Sequence, residues 1–384
     1  MSKTILLCNL HDVIVFSIII MVVFPFVFLF IIFLIIVFRR EFKSVLFFAP
    51  KRTCHFLNLS FFVLLFFQVF KDPNSLPDLG EYINVFNEIK QRTLFEVFHY
   101  GLQSDVRVEP GWIVFNKIVS ILSGNPSVLF AITGFLTLLG PYRTIKRYCP
   151  TKYIWLAVLL YFTGTYLQSL FVIRQHLAIS ICLLTMPLIQ NRKLIKYLIV
   201  CAIAIFIHYS AAIWLPVYFF YHFRNEKTLF VVLVIFSIVV ISLYRIILPY
   251  VAILIQGFAG WVVKNDDIGA KMTESLMIGS VFFASLFSLR EHFFEKGEIR
   301  LFSLLLTFAL VFSIAGIGYI QTGRLNMYYT RLVYIYIPIL LFFIRNKSNR
   351  VLIGTALSSI FILVWFIHAF DPDVDYNGYK LLFW

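Results

Sequence analysis

Charged residues are scarce in this chain. They make up 14% of its 384 residues, where a soluble domain carries about one quarter. A soluble fold of this length would form about two domains, and so little charge cannot cover their surfaces. Cysteine is scarce as well. Cys8, Cys54, Cys149, Cys182 and Cys201 form an odd, scattered set without a CxxC pair, which argues against a disulfide framework or a zinc site. Missing altogether are Gly/Ser- or Pro-rich linkers, stretches polar enough for disorder, and repeats of roughly 20–50 residues. GxGxxG, a Walker loop and HExxH are absent too, so ATP-driven chemistry and zinc hydrolysis find no support.

What the chain has in abundance is apolar length. Hydrophobic residues reach 61% and aromatics 18%, with 45 Phe. A membrane span needs about 20 apolar residues, and such runs recur near 13–38, 54–70, 126–142, 153–169, 176–190, 228–253, 275–289, 301–320, 329–344 and 351–369. The first is too long for a signal-peptide core and lacks a small-residue cleavage site, so it reads as a retained span. One stretch, 194–223, is too long for one span and reads as a tight pair turning at His208. The expectation is an all-α polytopic membrane protein, one integral domain over 1–384, with about twelve helices and bounds of about eleven and fourteen.

The net charge of +14 reads as topology, not as nucleic-acid binding. Twenty of the 33 Lys and Arg, but only five of the 19 acids, fall in six connections, around Arg39–Arg52, Arg143–Lys152, Arg192–Lys196, Arg224–Lys227, Arg290–Arg300 and Arg345–Arg350. An excess of Lys and Arg marks the cytoplasmic side. All six share that side only if 111–123, which carries Asn116 and Lys117, is a re-entrant or interfacial helix. Both chain ends then lie outside.

Four polar features fall on the opposite, external side. The first closes the loop from Lys71 to Pro110, whose interleaved Tyr82, Phe86, Phe95, Phe98 and Tyr100 suit membrane-surface helices. It ends in Glu109-Pro110-Gly111-Trp112, where proline starts a helix and holds Glu109 extended before it. A surface carboxylate favoured by the helix dipole is the plain alternative. The second is Ile173-Arg174-Gln175-His176, where Arg174 could simply snorkel. The third is His208-Tyr209-Ser210, whose histidine, taken alone, is more often an interfacial hydrogen-bonding group than a catalyst. The fourth is Gln321-Thr322-Gly323-Arg324 with Tyr328, Tyr329 and Arg331, the two arginines lying about two turns apart on a similar face. Together they bring a carboxylate, arginines and a histidine to one membrane face, and polar groups at that depth default to a functional hypothesis. Asp371-Pro372-Asp373 reads as a solvated acidic end, and Asp266-Asp267 is a second close acid pair.

The ordered segments EPGWIVFNKIVSIL, SLFVIRQHLAISICLL, KYLIVCAIAIFIHYSAAIWLPVYFF and GRLNMYYTRLVYIYIPIL resemble the EpsG-type polysaccharide polymerases of the broader Wzy group. An early R…G-D…Y stretch of that family is poorly matched: Asp78 and Tyr82 are present without the preceding arginine. The resemblance implies a GT-C-like glycosyltransferase in the bacterial inner membrane. It would join undecaprenyl-pyrophosphate-linked oligosaccharide units on the periplasmic face, for O-antigen, capsule or exopolysaccharide. The growing glycan would pass to the non-reducing end of a new lipid-linked unit. A flippase and a chain-length regulator are the partners implied, with no metal or other cofactor.

Residue chemistry is compatible with that. A pyrophosphate leaving group needs positive charge where negative charge develops, which guanidinium groups supply in a fork. Arg174 and Arg324 are the candidates, with Arg331 as a third, and Gln175, Tyr328 and Ser210 would position substrate. The attacking hydroxyl needs a base: Glu109, its pKa raised by apolar walls, is the first choice, and His208, which needs less tuning, positions the acceptor or is the alternative base. An O-antigen ligase or other lipid-donor transferase, a lipid-linked oligosaccharide flippase and a membrane acyltransferase remain as rivals.

Overall fold

A computed structural model describes residues 23–43, 54–72, 75–76, 78–101, 108–254, 268–289, 292–295, 297–317 and 322–369. The regular structure among them is helical. The helices are α1 (Val23–Val37), α2 (His55–Val69), α3 (Leu79–Gln91), α4 (Leu94–Gly101), α5 (Pro110–Leu122), α6 (Pro126–Tyr148), α7 (Ile154–Tyr161) and α8 (Leu167–Ser169). They continue with α9 (Ile173–Leu184), α10 (Met186–Gln190), α11 (Leu194–Ile207), α12 (Pro216–Tyr221), α13 (Glu226–Leu254) and α14 (Ile268–Leu289). The last four are α15 (Glu298–Ala315), α16 (Thr322–Thr330), α17 (Val333–Phe343) and α18 (Lys347–Ala369).

Among the described residues, seven helices or broken helix pairs are long and apolar enough to cross a membrane: α6, α9–α10, the first part of α13, the larger part of α14, α15, α16–α17 and α18. Four shorter apolar helices, α1, α2, α5 and α11, add to them. The expected spans at 54–70 and 153–169 and the return arm of 194–223 fold as short or interrupted helices. The 153–169 run is broken by a π turn at Phe162–Tyr166 that joins α7 to α8. The return arm is a 3-10 turn, Tyr209–Trp214, followed by the six-residue α12.

α6 is the central helix. Asn125 caps its start by accepting from the Ser127 amide at 2.9 Å, with Pro126 in the first turn. Gly140 then lets α9 come close: a Cβ there would sit 2.5 Å from the Ser180 carbonyl. The freed space puts Ser180 Oγ within 2.8 Å of the Gly140 amide and 2.6 Å of the Leu136 carbonyl. Small residues at helix crossings do this where no water drives packing. α2 runs antiparallel on the other side, with Asn58 beside Tyr142 and Gln68 beside Gly134.

The bundle therefore has two chemically different ends. At one, Tyr148 bonds Gln190, His222 meets the Ile189 carbonyl, and Arg300 grips the Tyr221–Phe223 turn, so four of the basic connections converge. At the other end α3, α4 and α5 pack as a layer, tied by Lys117 to the Arg92 carbonyl at 2.6 Å and by Lys90 to that of Gly124 at 3.1 Å. Exposed Phe, Ile and Leu side chains on α1, α13, α14 and α18 face outward, as lipid-facing surface does. Gln321, Asp105, Asp266, Asp267, Asp371 and Asp373 lie outside the described residues.

Candidate active site

Three chain segments meet at the polar end. The first is the start of α5, where Glu109 is extended (φ −63°, ψ 138°) ahead of Pro110. Its carboxylate makes no bond to the helix it precedes, so it is not a simple helix cap. The second is the end of α11. There His208 leaves helical geometry (φ −156°, ψ 114°), its amide still bonded to Ala204 and its carbonyl already accepting from Ala211 in the 3-10 turn. Gly111 makes the approach feasible, because a Cβ there would collide with the Phe206 backbone at 2.6 Å. The third is the first turn of α9, which carries Arg174.

Glu109 joins the other two. Its Oε2 accepts from Arg174 Nη1 and its Oε1 pairs with His208 Nδ1, both at 2.5 Å. Only 7% of Glu109 is exposed, so the surface-carboxylate reading is set aside. Arg174 is engaged across the protein interior and does not snorkel. Burial pushes the Glu109 pKa up, but the His208 bond and charge and the Arg174 charge outweigh it and hold it below the ordinary carboxyl value. This corrects the expected upward shift. A lowered pKa favours the carboxylate, and a carboxylate only accepts, so His208 Nδ1 is the donor of this bond. His208 Nε2 is buried and has no partner among the described residues.

The surroundings divide the remaining candidates. Gln175 donates through Nε2 to the Arg324 carbonyl, which seats α16 beside α9. Ser210 Oγ donates to the Tyr328 hydroxyl at 3.1 Å, so these two stand beside the His208 turn. Arg331 is placed differently. It donates to the Gly164 carbonyl at 3.1 Å, and its own carbonyl accepts from Thr165 at 3.0 Å. Its bonds are thus to the π turn, not to Glu109.

Tyr82, on α3, belongs with the site although residue chemistry did not single it out. The Arg174 guanidinium lies over its ring at 5.5 Å, and Trp112 packs edge-on against the same ring at 5.5 Å. The signal for it was its place among the loop aromatics, four residues after Asp78. Among the described residues no three His, Cys, Asp or Glu side chains gather as a metal site would require.

A model of the EpsG family matches residues 54–381, most of the chain. The chain belongs to the EpsG family. No curated protein and no solved structure matches it. Membership in the EpsG family suggests a polysaccharide-polymerase-type, glycosyltransferase-like role for a membrane-embedded protein. The matched span contains the Glu109, Arg174 and His208 cluster together with Arg324, Tyr328 and Arg331.

Proposed function

We propose that this EpsG-family protein polymerises oligosaccharide repeat units carried on undecaprenyl pyrophosphate. It acts as a GT-C-type glycosyltransferase at the outer face of the bacterial inner membrane. The growing glycan is the donor, and the non-reducing end of a new lipid-linked unit is the acceptor. The observation that carries the reading is the buried His208 Nε2, unpartnered beside an ionised Glu109 that is itself held by Arg174.

In this mechanism the acceptor hydroxyl gives its proton to His208 Nε2 as its oxygen bonds the donor's anomeric carbon. The bond from that carbon to the pyrophosphate oxygen breaks, and the electron pair leaves with the pyrophosphate. Glu109 orients the imidazole and balances its positive charge, the role a carboxylate takes beside a basic histidine. Arg174 keeps Nε free of any described partner, and with Arg324 it offers N–H groups to the leaving oxygens. Gln175, Tyr328 and Ser210 hold the acceptor, and Arg331 acts one step away through the π turn. A flippase supplies the units and a chain-length regulator acts on the product. The wealth of basic residues at the opposite end supports an external site.

Cells lacking the protein and complemented with H208A, R174A or E109Q test this by the ladder of surface polysaccharide on gels. Single-repeat products at normal protein levels are the expected result. Units that never reach the outside would favour a flippase, and intact ladders with every variant would overturn the site.

A further inference from the structure

One buried cation has no part in the chemistry proposed above. Lys71 follows α2 at the polar end and is 1% exposed. Its Nζ donates to the Leu170 carbonyl at 2.6 Å and to Gln68 Oε1 at 3.3 Å, and it lies 5.3 Å from the centre of the Phe130 ring. Both oxygens are neutral, so neither supplies a countercharge. Burying an ammonium on such terms is costly, and an ionisable group inside a membrane bundle defaults to a functional hypothesis.

Lys71 is the last of three ties between α2 and the break ahead of α9. The Tyr166 hydroxyl donates to the Leu64 carbonyl at 2.8 Å, and Gln68 Nε2 donates to Ser169 Oγ at 2.7 Å. Positions 64, 68 and 71 have the spacing of one helical face, so a single row of α2 fastens α8. Beyond α8 the backbone bonds shorten. The Leu170 amide reaches the Leu167 carbonyl at 3.2 Å, and the Ile173 amide reaches that of Phe171 at 2.8 Å. Helical reach resumes with the His176 amide on the Val172 carbonyl at 3.2 Å. In an unbroken helix the Leu170 carbonyl would accept from the amide four residues on, that of Arg174. Lys71 occupies this carbonyl instead, as lysines do at helix ends.

We infer that Lys71 is a positioning residue for Arg174: by holding the Leu170 carbonyl it keeps α8 and α9 apart and sets the first turn of α9 where the guanidinium meets Glu109. The inference rests on the polymerase reading, in which Arg174 serves the leaving pyrophosphate. Without the ammonium the carbonyl is free for the Arg174 amide, and helix growth across the break redirects the Arg174 side chain. A plain strut is the alternative. Losing a strut lowers the amount and Tm of the protein, whereas losing a positioning group lowers kcat in a protein that is folded.

K71M removes the donor at similar side-chain length, and Q68M loosens the same row more gently. Both are assayed in membranes beside R174M, H208A and the double variant K71M/R174M, with lipid-linked units extracted from cells lacking the protein as substrate. K71M should lower kcat roughly 10–100-fold and keep KM, membrane level and Tm near wild type at neutral pH. Q68M should show a several-fold loss of the same kind. K71M/R174M should be no slower than R174M, because Lys71 acts through Arg174 alone. Losses that multiply in the double variant would overturn the inference, as would a wild-type kcat in K71M while R174M is impaired. A loss confined to protein level or Tm in both K71M and Q68M would make Lys71 a strut and overturn it too. Full activity in R174M and H208A would instead sink the polymerase site on which the inference rests.

Discussion

Two arginines, half-buried Arg174 at the polar end and buried Arg300 at the basic end, each face a carboxylate, yet they are used differently. The Arg300 side chain is 3% exposed, and all three of its nitrogens are engaged. Nε serves the Phe294 carbonyl at 2.9 Å, Nη1 that of Phe223 at 2.8 Å, and Nη2 reaches Glu226 at 3.3 Å. It answers the loose carbonyls at the end of α12, as a helix terminus requires. The Arg174 side chain is 24% exposed and has one short bond to Glu109, with Nε unspent. A saturated arginine is a strut, whereas one with donors left over is prepared for something that is not part of the chain.

The largest expected effect sharpens that contrast. R300M leaves three carbonyls and Glu226 without their partner and is expected to cost about 3–5 kcal/mol, read as lost membrane protein and a lower Tm. R174M should keep the fold and lose about 10²–10³-fold in polymer formation. Equal loss of protein in both variants would erase the distinction.

Next comes the dyad. H208A is expected to lower turnover about 10²–10⁴-fold, and E109Q by roughly 10–100-fold, as when an orienting partner is removed. The sign of the pH effect follows from Glu109. Because its folded pKa is lowered, its contribution to stability is complete above the ordinary carboxyl range and is lost as pH falls through the lowered value. Wild type should therefore outlast E109Q in weak acid and lose that margin in stronger acid, as measured by Tm against pH. A constant difference across the acid range would contradict an ionised Glu109.

A smaller effect is expected at Lys71, just past α2. Its ammonium donates to the Leu170 carbonyl at 2.6 Å, four residues before Arg174, and lies over Phe130. Burial draws its pKa down to about 7. Below that value the native state holds a buried charge, so stability rises as pH climbs from about 7 towards the free-lysine value of about 10.4. The Tm of wild type should gain on that of K71M between about pH 6 and about pH 9; a pH-independent difference would refute a buried, titrating amine. The smallest effect is Y82F, which keeps the ring under Arg174. A change of about threefold or less in turnover is expected, with a clear loss in Y82A, consistent with a cation–π contact of about 0.5–2 kcal/mol.

Much of the helical pattern was legible because span length and charge distribution are local properties. The Glu109–Pro110 start of α5, the break at His208 and the polar turn at Arg174 could all be read from short segments, each with a physical reason. The span count was less legible. Apolar composition alone does not separate one crossing from a helix interrupted by a π turn, as at Phe162–Tyr166.

The candidate site divides the same way. Residue types named Glu109, Arg174 and His208, but Arg174 and His208 lie 65 and 99 residues from Glu109 in sequence. Whether they touch depends on Gly111 admitting the Phe206 backbone and on Gly140 admitting α9. The direction of the Glu109 shift needed the same contacts, because burial and opposite charge act against each other and only distances decide between them. Arg331 read like Arg324 on one helical face until the π turn claimed it. By itself, then, the sequence determined a helical membrane protein and the chemical groups available to it. The tertiary structure decided which of those groups spend their hydrogen bonds on the protein and which keep them for a ligand, because pairing depends on distances between segments that local pattern does not encode.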